Sequence, residues 1–410
     1  MRTFLSDELK ETPEGREADD ILRSCVHCGF CNATCPTYQL LGDERDGPRG
    51  RIYLIKEMLE TNSASRETQL HLDRCLTCRA CETTCPSGVQ YNRLLEIGRA
   101  AVESRVKRPL RERIQREVLL RAVPEPSRFR LLLGLANLAR PLLSAAQKKT
   151  IPTSESAGEP WPATTHRRKV LLLEGCAQSV IAPRINLATA KVLDRLGIQA
   201  LPAAGCCGAL SHHLSREDRT LATIRKNIDH WWPAIQDGAE ALVLTASGCA
   251  PTVMDYGRLL QHDPDYASKA DKLASIALDI SEFLEQQNLE ALGATTDEET
   301  LIAFHSPCTL QHGLKRAGSV EMLLSRLGFR LAAVQDAHLC CGSAGSYSVL
   351  QKDLSQQLLQ QKLECLEKEQ PALIATANIG CMMHLQSGTD LPVMHWIELL
   401  LNCRESPPHR

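Results

Sequence analysis

The chain has 410 residues, 47 basic against 49 acidic side chains for a formal charge of −2, and 43% hydrophobic content. That length exceeds what one hydrophobic core fills, and the balanced charge excludes both a globally basic nucleic-acid binder and a disordered polymer. The longest largely apolar run, residues 131–139, is less than half the roughly 20 residues a bilayer span requires, and Asp7 and Glu8 fall where a secretory leader should be apolar. A cytoplasmic chain of several domains is expected.

Residues 1–100 hold two dense cysteine runs. Between them Ile52, Ile55, Met58 and Leu59 recur at helical spacing after the turn signal Gly47-Pro48-Arg49-Gly50, so this small domain is predicted to be mainly α. Residues 101–168 form a second segment. Within residues 103–149 stand 12 Lys and Arg against 4 Asp and Glu, a local +8 that is strongly segregated in a chain of net −2. Leu110, Ile114, Val118 and Leu119 predict one apolar stripe on basic helices interrupted by Pro124 and Pro126, and no compensating acid is evident nearby. Such a segment suits a solvated bridge, or docking to a partner or to anionic lipid headgroups. Residues 150–168, rich in Ser, Thr, Pro and Ala, read as a linker.

The remainder repeats itself. A short apolar run ending at Cys176 matches one ending at Cys308, Gly205-Cys206-Cys207-Gly208 matches Leu339-Cys340-Cys341-Gly342, and the run ending at Cys249 matches the run ending at Cys381. The markers keep one register, which indicates a duplicated domain with copies over residues 169–295 and 296–410. Each apolar run is followed by an amphipathic stretch, as in residues 188–196 and 320–327. This alternation predicts α/β units with a parallel sheet, and open parallel sheets place their chemistry on loops at strand ends, where these cysteines lie.

Cysteine, with 18 residues, points to the chemistry. Grouped cysteines in a large cytosolic chain indicate metal or redox work before disulfides. Cys25, Cys28, Cys31 and Cys35 before Pro36, and Cys75, Cys78, Cys81 and Cys85 before Pro86, both follow C-x2-C-x2-C-x3-C-P. In two-cluster ferredoxins the fourth cysteine of such a run ligates the other cluster. The expectation is therefore two [4Fe-4S] clusters, one on Cys25, Cys28, Cys31 and Cys85, the other on Cys75, Cys78, Cys81 and Cys35. Structural zinc instead takes two separated pairs. Cys365 and Cys403, isolated in apolar contexts, read as inert core thiols.

The two later sets are Cys176, Cys206, Cys207, Cys249 and Cys308, Cys340, Cys341, Cys381. These halves resemble the cysteine-rich CCG domains of heterodisulfide reductase. The whole arrangement, including Cys25-Val-His-Cys28-Gly-Phe-Cys31, Asp46-Gly-Pro-Arg-Gly-Arg-Ile52, Trp231-Trp-Pro233 and His338-Leu-Cys-Cys-Gly-Ser-Ala-Gly345, resembles the iron-sulfur subunits of glycolate oxidases. The resemblance implies a multidomain α plus α/β fold: an N-terminal α-helical ferredoxin with two [4Fe-4S] clusters, then two tandem α/β CCG domains. One departure is plain. The family's CCG pattern ends in C-x-x-C, whereas here Cys249 is followed by Ala-Pro-Thr252 and Cys381 by Met-Met-His384, so the fifth thiol is missing twice. Each repeat could hold a four-thiolate cluster, a His-assisted site, or no metal. The second repeat is favoured for an additional iron-sulfur cluster, because His305, His312, His338 and His384 stand where the first has Leu173, Val180, Ala204 and Thr252. Its candidate ligands are Cys308, Cys340, Cys341 and Cys381 with His305 and His384, ahead of Cys176, Cys206, Cys207 and Cys249.

No G-x-G-x-x-G follows a predicted strand and no P-loop occurs, so no flavin or nucleotide site and no catalytic residue is visible. Clusters move single electrons while alcohol oxidation removes two, so a flavin is expected on partner chains. By resemblance the partners are two FAD-binding subunits and the substrate glycolate; the clusters imply quinone or another acceptor, the basic segment a peripheral contact with the inner face of the cytoplasmic membrane, and the balanced charge no nucleic acid. A subunit of a related glycerol-3-phosphate or lactate dehydrogenase, or a heterodisulfide-reductase-like thiol redox protein, is the alternative.

Overall fold

Hydroxyl caps start the first helices. Thr12 Oγ1 accepts from Gly15 N at 3.0 Å ahead of Pro13–Ser24, and Ser65 Oγ accepts from Thr68 N at 3.0 Å ahead of Arg66–Asp73. The computed structural model describes residues 1–142, 148–149, 151–152, 159–295 and 299–404. In it these helices join Pro48–Thr61 and Tyr91–Arg105 around Leu22, Ile52, Ile55, Met58, Leu72, Leu94 and Leu95. The predicted stripe Ile52, Ile55, Met58 and Leu59 is buried in full. A Cβ at Gly98 would stand 2.7 Å from Ile55 Cγ1, so the close approach of Tyr91–Arg105 to Pro48–Thr61 depends on glycine there.

The basic segment forms two helices, Leu110–Ala122 and Pro126–Leu138, broken where the prolines predict, with Pro126 in the first turn. Two expectations change. The predicted stripe is not a core face: Leu110, Ile114 and Val118 are 68%, 53% and 53% exposed, while Leu120, Ala122 and Arg116 are buried. The chain turns its other side inward because the charge is partly compensated after all. Asp73, on the preceding domain, accepts from Arg108 and from Arg116 Nη2 at 3.1 Å, and Glu103 also pairs with Arg108. Burial would raise the Asp73 carboxyl, but these guanidinium groups hold it below its ordinary value. Arg111, Arg113, Arg128 and Arg130 make no ion pair among the described residues. Arg128 and Arg130 directly precede an exposed row of Leu131, Leu132, Leu135 and Leu138. Of the linker, residues 150 and 153–158 lie outside the described residues.

Two four-stranded parallel sheets follow. The first is built from β1 (Arg168–Leu173), β2 (Ile198–Ala203), β3 (Leu242–Leu244) and β4 (Ala277–Asp279) in the order β2-β1-β3-β4. A two-residue strand β5 (Ala294–Thr295) precedes the second sheet, whose strands β6 (Leu301–His305), β7 (Arg330–Leu331), β8 (Leu373–Thr376) and β9 (Val393–His395) take the order β7-β6-β8-β9. The orders are equivalent, as the internal repeat predicts. β5 pairs antiparallel with β10 (Cys403–Arg404) near the C-terminus. Because β1, β2 and β3 are parallel, their C-terminal ends share an edge, and Cys176, Cys206, Cys207 and Cys249 follow those ends. β6, β7 and β8 do the same for Cys308, Cys340, Cys341 and Cys381. The sheets meet edge to edge there: Ser247 N donates to Ala377 O at 3.0 Å, and His395 Nε2 donates to Thr245 O at 2.9 Å.

Candidate metal centres

The two N-terminal runs fold alike. His27 and Thr77 both take left-handed backbone, φ 56° and 57°, as do Gly29 and Arg79, φ 86° and 63°. These reversals wrap each C-x2-C-x2-C run around a cavity and start the short helices Phe30–Ala33 and Ala80–Thr83. The first cavity, about 430 Å³ including its open mouth, is lined by Cys25, Cys28, Cys31, Cys81 and Cys85 with Val26, Arg49 and Ile52. The second, about 360 Å³, is lined by Cys35, Cys75, Cys78 and Cys81 with Thr37 and Arg51. The second gathers three cysteines of its run and the last of the other, and the first gathers three of its run with both Cys81 and Cys85 of the other. Pro48, Cys81 and Tyr91 border both, so the cavities are neighbours.

Thiols gathered in one confined space repel one another once ionised. Burial, then its neighbours Cys25, Cys85 and Cys28, push the Cys31 thiol up to about 11. Burial with the surrounding thiols raises Cys78 and Cys81 well above the ordinary range. All 18 cysteines are free thiols. An all-thiolate set with no competing carboxylate or imidazole among its named sulfurs fits an iron-sulfur cluster, whose iron charge would offset that mutual repulsion.

Beside the second cavity lies a buried charge network that sequence reasoning did not assign. Arg51, 1% exposed, donates to His71 O at 2.7 Å and Thr37 Oγ1 at 3.1 Å, and its Nη1 stands 4.0 Å from Cys35 Sγ. Asp46 accepts from Arg74 at 2.9 Å and lies 3.5 Å from Arg51 Nη2 and 2.9 Å from His71 Nδ1. Tyr91 Oη is 3.7 Å from Cys75 Sγ. A cation and a hydroxyl directed at the sulfurs favour their anionic form. The legible signal was a basic residue on the otherwise apolar face of Ile52, Ile55 and Leu59.

The CCG sets differ. In the first, Cys176 and Cys207 donate toward Cys206, which raises their own thiols and holds Cys206 low; Cys176 and Cys249 are partly open to solvent. In the second, all four cysteines are buried, Cys308 Sγ and Cys340 Sγ are 3.8 Å apart, and Asn378 Nδ2 donates to Cys381 Sγ at 3.4 Å. His305, Cys341 and Cys381 each present a ligand atom, all within 4.8 Å of one another. His305 is 1% exposed, and burial holds its imidazole neutral, well below the usual histidine range. The rings of His384 and His312 are engaged elsewhere. His384 Nε2 lies 3.1 Å from Ser355 Oγ, and its ring also meets the Cys341 backbone. His312 spans from Thr83 Oγ1, 2.9 Å from its Nδ1, to the His338 carbonyl, 3.1 Å from its Nε2. Lys362, also unassigned by sequence reasoning, is buried next to this set and donates to Asp336 O at 2.9 Å and Ala337 O at 3.1 Å. Cys403 is buried as a core thiol, whereas Cys365, expected in the core, is partly exposed.

Among the described residues, the second set is the one that packs against the helical domain's inner cavity. Leu76, Cys78 and Ala80 pack in one cluster with Cys308, Cys340, Tyr347, Leu354 and Leu358, and Cys308 contributes to raising the Cys78 thiol. On the other side Glu96 pairs with His212 at 3.1 Å and Arg258 at 3.4 Å of the first sheet unit. The helical domain therefore contacts both halves.

Comparison with known proteins agrees with this layout. A 4Fe-4S dicluster domain model matches residues 21–89, and a cysteine-rich domain model matches residues 170–253 and again 302–386. The glycolate oxidase iron-sulfur subunit of Escherichia coli (strain K12) is 54% identical over 402 residues, covering 98% of each chain. A probable glycolate oxidase iron-sulfur subunit of Bacillus subtilis (strain 168) is 28% identical, covering 97% of this chain and 96% of its own. Lactate utilization protein A of the same strain is 27% identical over 57% of this chain and 98% of its own. A crystal structure of a hypothetical protein from Helicobacter pylori superposes with TM-score 0.56 at 8% identity, over 97% of this chain and 72% of that one, and shares the fold. With both domain types matched in order and one relative similar over nearly its whole length, the chain belongs to the family of glycolate oxidase iron-sulfur subunits.

Proposed function

We propose that this chain carries electrons for a flavin complex that oxidises glycolate to glyoxylate, receiving them from two FAD-binding subunits and delivering them to quinone or another acceptor. The observation that carries the proposal is a sequence of three thiol sets. Cys25, Cys28, Cys31 and Cys85 line a cleft where Cys28 reaches solvent; Cys35, Cys75, Cys78 and Cys81 line its neighbour; and Cys78 abuts Cys308 and Cys340. When bound, two [4Fe-4S] clusters supply one-electron chemistry at the first two sets. The chain's own residues supply the ligands, with ligation crossed between the runs, and a polar shell of Arg51 and Tyr91 beside the inner set. Of the two later sets, that of the second repeat is the metal-bearing one, since it is buried, has an imidazole beside its thiols and adjoins the inner cavity.

No described helix is long and apolar enough to cross a membrane. Attachment to the inner face of the cytoplasmic membrane would run through the exposed leucines and unpaired arginines of Pro126–Leu138 and its neighbour. The test is anaerobic purification of the native complex. The chain should co-purify with flavin-containing subunits, and glycolate should reduce its clusters as seen by EPR. Reduction by lactate or glycerol 3-phosphate but not glycolate would reassign the substrate, and a flavin-free preparation would overturn the proposal.

A further inference from the structure

Resting on that reading of the second repeat, we infer that His305 Nε2, Cys341 Sγ and Cys381 Sγ bind one and the same metal ion, a soft divalent ion of the iron-zinc class, rather than serving a further [4Fe-4S] cubane. Three observations support this. First, the three ligand atoms lie within 4.8 Å of one another. Bonds of about 2.3 Å to sulfur and about 2.0 Å to nitrogen at tetrahedral angles separate ligand atoms by roughly 3.5–3.8 Å, so small movements close this set on a single ion. In a cubane each thiolate sits on its own iron, and the sulfurs are spread across the cluster.

Second, His305 Nε2 is buried with no hydrogen-bond partner, whereas Nδ1 lies 2.9 Å from Thr376 Oγ1. A fully buried ring nitrogen without a partner is costly in a packed protein. With Nδ1–H donated to the threonine, Nε2 carries the lone pair toward the two thiols, which is how metal-binding imidazoles are usually oriented. Third, the set has the accessory donor a thiolate-metal bond needs: Asn378 Nδ2 donates to Cys381 Sγ at 3.4 Å. The first repeat cannot form this site, because its counterpart of His305 is Leu173. Three protein ligands leave one coordination position open, with Cys340 next in the chain to Cys341. Thiolate with imidazole selects iron or zinc over magnesium, calcium or manganese.

Counting atoms decides it. Metal and acid-labile sulfide are measured on the anaerobically purified complex, per mole of this chain. Two cubanes contribute about 8 Fe and about 8 sulfide, so the inference expects about 9 metal atoms, Fe plus Zn, with sulfide still about 8. His305→Ala should remove one metal atom and no sulfide, and His305→Cys should restore it. X-ray absorption of the extra ion in the wild type should show one nitrogen ligand beside sulfur, a measurement that needs no variant to fold. A wild-type count of about 8 metals, a count near 12 with 12 sulfide, or an extra ion retained in His305→Ala would each overturn the inference. Glycolate-driven reduction of the two N-terminal clusters, recorded on the same samples, separates that failure from failure of the electron-transfer reading.

Discussion

Arg51 is a guanidinium with no solvent, set beside the sulfurs of the inner cavity. Its positive charge stabilises the more negative, reduced state of whatever those sulfurs hold. Arg51→Gln should therefore lower the potential of the inner cluster by something on the order of 50–100 mV while leaving the outer one nearly unmoved, as potentiometric EPR would show. An equal shift in both would mean that the arginine acts through packing. Ligand exchange between the runs has its own signature. Cys35→Ser should alter the same EPR signal as Cys75→Ser, and Cys85→Ser the same signal as Cys25→Ser; pairing of Cys35 with Cys25 would break the crossed assignment. At this scale the thiols were legible from spacing, because each ligand set leaves a periodic trace in the chain. Tyr91 and Lys362 left none, and Arg51 only its place on an apolar helix face, since what aims a side chain at a sulfur is the packing of three or four helices. Histidine illustrates the limit: four stood near the second set in sequence, and the fold directs one ring, that of His305, toward its thiols, while those of His312 and His384 are engaged elsewhere.

The parallel sheets were legible as elements because apolar runs alternated with amphipathic stretches, and the repeat register carried over into identical strand orders. The basic helices were legible as helices but not in which face they bury. Leu110, Ile114 and Val118 make an apolar stripe as good as any core stripe, and Asp73, distant in sequence, draws Arg108 and Arg116 inward in its place. Exposing apolar rows beside unpaired arginines is costly in water unless something covers them. With anionic phospholipid vesicles, replacing Leu131, Leu135 and Leu138 by Ser should weaken sedimentation of the complex roughly tenfold or more, since each buried leucine contributes about 1.5–3 kcal/mol. Arg128→Glu with Arg130→Glu should weaken binding mainly at low salt. Neutral vesicles binding equally well would remove the electrostatic part of the argument. These side chains are exposed, so the substitutions leave folding intact.

For the whole molecule, the helical domain is tied to the sheet units by Glu96 on one side and by Thr83 and His312 on the other. Burial opposes the charge on Glu96, yet His212 and Arg258 hold its carboxyl down to about 2 from an ordinary 4.5. A carboxyl depressed on folding contributes stability that is complete above its unfolded value and is lost as pH falls, here across the window from about 4.5 to about 2. Glu96→Gln should abolish that part of the acid sensitivity, read as cluster bleaching or loss of tertiary circular dichroism along an acid titration. An unchanged titration would place the acid-labile seam elsewhere. The isolated chain, lacking a flavin partner, should not oxidise glycolate with an artificial acceptor, and turnover by the chain alone would remove the division of labour proposed for the complex.

Burial along the three thiol sets is graded. Cys28 meets solvent at the outer cleft, Cys78 and Cys81 are enclosed, and Cys308, Cys340, Cys341 and Cys381 are enclosed beneath them. That gradient is also an order of decay. Oxygen, peroxide and chelators reach the outer cleft first, so iron release in air should be stepwise, the outer cluster lost while the inner one persists. A preparation handled briefly in air would then hold intact inner carriers with their surface terminal missing, unable to accept electrons although about half of its iron remained in place.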